Sequence, residues 1–313
     1  MTATLDALAQ LRRLQAERLD AVEAGLGENA LYMTDLENDI EAYRATVDFY
    51  QYDTLVPLDA RVVKREDAPT YTREKVVFTG SREDRVPAWL MLPKAGARPF
   101  PVVLILDGWM GTKDRWWEDD TWPQGGRLTK ALAAQGIAAL VLDAQFHGER
   151  AAHADFQAVE SLVCNECINL RREMIVETVV DYRRALDYLA TREEVDRSRV
   201  GAIGFSMGGL MTFALSAVES RIKAAVPCVT PARVNERWTS RTAISPYTFA
   251  PRVTIPALML MGRTDALYSQ ADAEALLGAL GSAEKSLEWY EAGHRLPPEY
   301  VPRAVGWLKA HLK

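Results

Sequence analysis

The chain has 313 residues, 48% of them hydrophobic and 26% charged, with a formal net charge of −6. That length accommodates one large domain with an appendage, or two domains. The negative balance argues against nucleic acid or an anionic membrane surface as a partner, no apolar run reaches transmembrane length, and three cysteines give no disulfide framework.

The first twenty residues are polar and charged at helical spacing, unlike a signal peptide, so cytoplasmic residence is expected. Leu5, Leu8, Leu11 and Leu14 fall on one face of a helix. Gly25 and Gly27 break it, and Thr34-x-x-Glu37 is a capping-box signal opening a second helix with Leu36, Ile40, Tyr43, Val47 and Tyr50. Residues 1–56 therefore read as a helical hairpin extension. Its apolar faces need a cover, either the main domain or a second copy in a homodimer. Residues 57–74 read as a linker.

From Lys75 the pattern changes to strands. Lys75–Thr79 is one, and Val86–Leu92 is a second, expected at a sheet edge because Pro87 lacks a donor. Val102–Leu106, Ile137–Leu142 and Pro256–Met261 are continuous apolar runs, as strands buried on both faces require. Helical stretches Arg127–Gln135 and Arg171–Leu189 alternate with them, which is the βαβ rhythm of a mostly parallel, doubly wound α/β sheet flanked by helices. Small cap-like insertions are expected near 147–170 and 230–252.

The chemistry centres on Gly204-Phe205-Ser206-Met207-Gly208, with an apolar strand before it and the apolar helix Leu210–Val218 after it. Gly-x-Ser-x-Gly between strand and helix is the nucleophile-elbow pattern: the turn is tight, and a side chain two residues either side of the serine would clash. Gly204-Phe205-Ser206-Met207-Gly208-Gly209 is similar to the elbow of α/β-hydrolases, in particular the dienelactone-hydrolase-like and prolyl-oligopeptidase-like esterase branches. The runs Tyr182–Leu189 and Val195-Asp-x-x-Arg-Val-Gly201 resemble the helix and turn before that nucleophile in the dienelactone-hydrolase-like group. The resemblance extends from about Lys75 to the C-terminus and leaves out the hairpin.

The resemblance implies a Ser206, Asp265, His294 triad. Asp265 follows a buried strand, and His294 follows the last strand, Ser286–Tyr290. Asp272, the rival acid, reads better as a charge on the start of the next helix. His147 precedes the nucleophile, whereas in this fold the base comes last, and His311 lies on the closing helix. Asp107-Gly108-Trp109 ends a buried strand where the family places half of its oxyanion hole. The implied donors are the backbone N–H groups of Trp109 and Met207. Asp107 departs from the histidine common there, which makes the local field more negative unless it is paired away.

Trp116, Trp117 and Trp122, with His147, are candidates to line a substrate pocket, although packing of the tryptophans on the core is an equal reading. Cys164-x-x-Cys167, with His147 and His153 upstream, could be imagined as a zinc site. It has no second Cys-x-x-Cys, so buried thiols are favoured, with no metal and no cofactor. The expected function is a serine carboxylesterase for small or medium esters. A peptidase or acylaminoacyl-type hydrolase, a C–C bond hydrolase on the same triad, and a non-catalytic binding protein of this fold are the alternatives.

Overall fold

The computed structural model describes residues 41, 43–154, 168–234 and 242–313. Nine strands form one sheet in the order β1-β2-β3-β5-β4-β6-β7-β8-β9. They are β1 (Arg61–Asp67), β2 (Tyr71–Thr79), β3 (Arg85–Pro93), β4 (Phe100–Leu106), β5 (Ala138–Leu142), β6 (Val195–Phe205), β7 (Ile222–Cys228), β8 (Ala257–Gly262) and β9 (Lys285–Tyr290). β1, β2, β3 and β5 pair antiparallel in that order. β5, β4, β6, β7, β8 and β9 pair parallel. Among the described residues, the longer helices that flank the sheet are α1 (Gly125–Ala134), α2 (Ile168–Leu189), α3 (Met207–Val218), α4 (Gln270–Ala279) and α5 (Tyr300–His311). α1 packs against α5, and α2 against α3.

The apolar runs became the strands at the centre. Every residue of β4, β5 and β8 is buried, which is what helices on both sides of a parallel sheet demand. The parallel strands end together, so the turns after β4, β6, β8 and β9 meet along one edge, where α/β sheets carry their sites.

Two expectations need correction at the antiparallel end. The stretch 57–74, read as a linker, contributes β1 and the start of β2. β1 is exposed at almost every residue, so no apolar face marked it, and it is held by ladder bonds and by cross-strand pairs such as Arg65 with Glu74 at 2.6 Å. The strand over Val86–Leu92 is not an edge. It lies between β2 and β5, and its pairing with β5 covers only Ala88 to Met91. Pro87 sits just outside that ladder, where no N–H is needed.

Most of the expected hairpin lies outside the described residues. Its end does not: Tyr50 is fully buried, donates to the Ala243 carbonyl at 2.8 Å, and accepts from Arg183 through its own carbonyl at 2.6 Å. Tyr50 also meets Phe249 edge-on. Residues 43–50 thus rest on the main domain. The Cys164-x-x-Cys167 motif and most of the 147–170 insertion also fall outside the described residues; Cys228 is a buried free thiol. No helix among the described residues is long and apolar enough to cross a membrane.

Candidate active site

Ser206 stands between the end of β6 and the first residue of α3, with φ 61° and ψ −116°. A non-glycine residue in that region is strained and persists only where its surroundings over-determine it. They do so here: the Ser206 N–H donates to the Cys228 carbonyl of β7 at 2.9 Å, and its carbonyl accepts from Gly209 at 2.8 Å. A Cβ on Gly208 would overlap the Leu106 carbonyl oxygen at the end of β4, and one on Gly204 would overlap the Gly208 carbonyl. Strand, turn and helix therefore approach more closely than any side chain allows, and that approach drives the serine side chain out of the sheet edge.

The structure brings Ser206, His294 and Asp265 together. His294 Nε2 lies 2.7 Å from Ser206 Oγ, and its Nδ1 lies 2.6 Å from Asp265 Oδ2. The Leu267 N–H donates to the other oxygen, Asp265 Oδ1, at 2.9 Å. Asp265 is buried and His294 is partly open. A carboxylate so fixed keeps the proton on Nδ1, leaving Nε2 to accept from the serine hydroxyl. Asp272, the rival, instead completes a capping box with Ser269 at the start of α4.

Gly108 presses onto the elbow, since a Cβ there would lie 3.4 Å from the Ser206 Cβ. Trp109 and Met207 accordingly line the same cavity as Ser206. Met207 opens α3, where a backbone N–H has no carbonyl one turn earlier to bond. The Trp109 ring is set edge-on to His147 at 6.4 Å and carries the Arg171 guanidinium 5.5 Å from its centre. His147, which is buried and lies 2.9 Å from the Gln145 carbonyl through Nδ1, therefore touches the site through Trp109.

Asp107 is buried one residue before this turn. Oδ1 accepts from the Gly108 N–H at 2.7 Å, while Oδ2 has no hydrogen-bond partner among the described residues. Burial pushes its carboxyl up to about 7, with the Asp143 charge adding to the effect and the Gly108 N–H, the Trp116 indole and Arg115 opposing it. The expected negative field is thus reduced through desolvation and not through a salt bridge.

The cavity beside Ser206 has a volume of about 410 Å³. Ile175 of α2, Leu210 of α3, Ala232, Ile244 and Leu267 give it an apolar lining, with Arg171 and Arg233 adding cationic groups. Sequence reasoning missed Arg171 and Ile175 of α2 and Leu267 of the loop after β8, which share no motif. It did reach the 230–252 segment, from which Ala232, Arg233 and Ile244 come. The expected aromatic lining differs. Trp116 is buried against Gly125. Trp117 packs on Tyr71 and Trp89 under the Arg73 guanidinium. Trp116 is thus a core residue and Trp117 a half-buried one packed against the core, because α1 folds back over their segment. Trp122 is 51% exposed and lies outside the cavity wall, its ring 6.5 Å from that of His294.

A family model described as acetyl xylan esterase (AXE1) matches residues 49–237, a span that holds Trp109 and Ser206 and ends before Asp265 and His294. Among curated relatives, the putative hydrolase YtaP of Bacillus subtilis is 28% identical over 174 residues, 54% of this chain and 56% of its own length. A putative carboxymethylenebutenolidase of Yersinia pestis is 24% identical over 238 residues, 71% of this chain and 78% of its own length. Among solved structures, a cold-adapted esterase from an Arctic intertidal metagenomic library superposes with a TM-score of 0.64 at 24% identity, over 80% of this chain and 98% of that one. Acetyl xylan esterase 1 from a Thermoanaerobacterium species does so with a TM-score of 0.67 at 18% identity, over 88% and 94%. At these identities the structures speak to the fold alone, which is that of the α/β-hydrolases. The family match spans well over half of the 313 residues, and the chain belongs to the acetyl xylan esterase family (AXE1), and with it to the hydrolases of carboxylic esters.

Proposed function

We propose that this protein is a serine carboxylesterase in which Ser206 is the nucleophile, His294 the general base and acid, and Asp265 the group that orients His294. The observation that carries the reading is the single imidazole with Ser206 Oγ 2.7 Å from one nitrogen and Asp265 Oδ2 2.6 Å from the other. His294 takes the hydroxyl proton as Oγ attacks the ester carbonyl carbon. The oxyanion that forms is met by the N–H groups of Met207 and Trp109, each worth about 3 kcal/mol at the transition state. His294 then protonates the departing alkoxide, and water, activated by the same imidazole, releases the acid and restores Ser206.

The cavity of about 410 Å³ receives the acyl group. It is larger than acetyl needs, which supports turnover of medium as well as short acyl chains. The family name supports acetylated carbohydrate as the natural ester. Hydrolysis of p-nitrophenyl acetate and butyrate tests the reading: both are expected to be cleaved, and Ser206→Ala to abolish both. Turnover that survives the substitution removes Ser206 as nucleophile.

Cytoplasmic residence belongs to the same proposal. It is supported by the charged, helix-patterned N-terminal sequence and the free Cys228 thiol, and cell fractionation tests it. A homodimer through residues 1–56 would show as a mass that halves when those residues are deleted, and an unchanged mass excludes that role.

A further inference from the structure

We propose that the Trp122 indole is the platform on which the leaving alcohol rests, and that it selects an uncharged sugar ring there; this builds on the esterase reading above. His294 Nε2 must lie within hydrogen-bond reach of the departing oxygen, so whatever that oxygen carries sits a few ångströms beyond the imidazole. Trp122 is there, with its ring centre 6.5 Å from that of His294 and half of its surface open. It is not part of the cavity wall beside Ser206. The acyl and alcohol halves of an ester diverge from the carbonyl carbon, so one half has the cavity and the other has this indole.

The exposure of Trp122 is not that of a loose loop. The next residue, Pro123, is buried, and its carbonyl accepts from the buried Tyr300 hydroxyl. The Thr121 hydroxyl accepts from the Gly125 N–H at 2.9 Å, and the Thr121 carbonyl from the Gln124 N–H at 3.1 Å. On the other side Asp120 accepts from Arg295, the neighbour of His294, at 2.7 Å. The backbone is pinned on both sides while the ring stays uncovered, a fixed apolar plate that costs little order on binding. Three exposed acidic residues, Glu118, Asp119 and Asp120, precede it in the same loop, with Asp119 paired to Lys130 and Asp120 to Arg295. An apolar plate next to an acidic stretch of the same loop suits the C–H face and the hydroxyls of a pyranose. The surplus of negative charge disfavours an anionic alcohol.

The test compares esters that share an acyl group and differ in the alcohol. In Trp122→Ala the ratio of kcat/KM for peracetylated xylopyranose to that for ethyl acetate is expected to fall about tenfold, mainly through KM. Trp122→Phe is expected to restore most of it. Acetylated glucose is expected to outrun acetylated glucuronic acid in the unaltered enzyme. Binding is read separately in Ser206→Ala, where saturation-transfer NMR should reach the ring protons of xylotriose and should vanish when Trp122→Ala is added. An unchanged ratio, or saturation transfer that persists without the indole, overturns the platform. Failure of the esterase reading looks different: Ser206→Ala would then keep its turnover of ethyl acetate whatever stands at 122.

Discussion

Two aspartates sit past the ends of buried strands on the same edge of the sheet, and they have opposite circumstances. Asp265, after β8, has a donor for each oxygen, the Leu267 N–H and the His294 ring. Asp107, after β4, has the Gly108 N–H on one oxygen and no hydrogen-bond partner among the described residues on the other. Both are buried. A buried carboxylate with donors on both sides can hold its charge and use it to orient an imidazole. One with a single donor is driven toward its neutral form. The comparison teaches that position at the strand end supplies access to the site, while the hydrogen-bond partners decide what each carboxyl can do there.

Substitution by asparagine separates the two most sharply. Asp265→Asn is expected to lower kcat by about 10⁴-fold, because the wrong tautomer of His294 is then favoured. Asp107→Asn keeps an acceptor for the Gly108 N–H and is expected to cost less than about tenfold at pH 6, where the native carboxyl is mostly protonated and differs little in charge. Steady-state kinetics on p-nitrophenyl acetate reads both. Equal losses would erase the distinction.

Stability gives the next effect. The Asp107 carboxyl is raised in the fold from an ordinary 3.8 to about 7. The folded state therefore keeps a proton that the unfolded chain releases between those values. Its stability falls as pH rises through that window and levels off above about 7. The full shift corresponds to on the order of 4 kcal/mol at pH 8. The melting temperature of Asp107→Asn is thus expected to gain on the unaltered protein between pH 4 and pH 8. A constant difference across that range would contradict the raised carboxyl.

The smallest effect is on catalysis. Above pH 7 the ionised Asp107 places negative charge directly behind the Trp109 turn, where it opposes an oxyanion. A decline of a few-fold in kcat/KM is expected on the alkaline side, absent in Asp107→Asn. A decline retained by the variant would assign it to another group.

How far these features could be read in the sequence follows from the same physics. β4, β5 and β8 are buried on both faces, and their unbroken apolar runs announced them. The elbow announced itself through Gly204 and Gly208, whose missing side chains are required by contacts that now have names. β1 was invisible because an exposed strand, here five charged residues and two adjacent valines, carries no hydrophobic period. The cavity lining was scattered over α2, α3 and three loops, so no local pattern could gather it. Trp116 and Trp117 differ from Trp122 only in how their shared segment folds back on β2, β3 and α1, which spacing does not encode. For Asp107 the sequence posed the question of charge, and the answer depended on burial.

The most direct measurement is peptide mapping after reaction with a fluorophosphonate. The geometry predicts a covalent adduct on Ser206, absent in Ser206→Ala, formed far more slowly in Asp265→Asn and at a nearly unchanged rate in Asp107→Asn at pH 6. An adduct on a different serine, or no adduct in a protein that still cleaves p-nitrophenyl acetate, would contradict the assignment of Ser206 as the nucleophile.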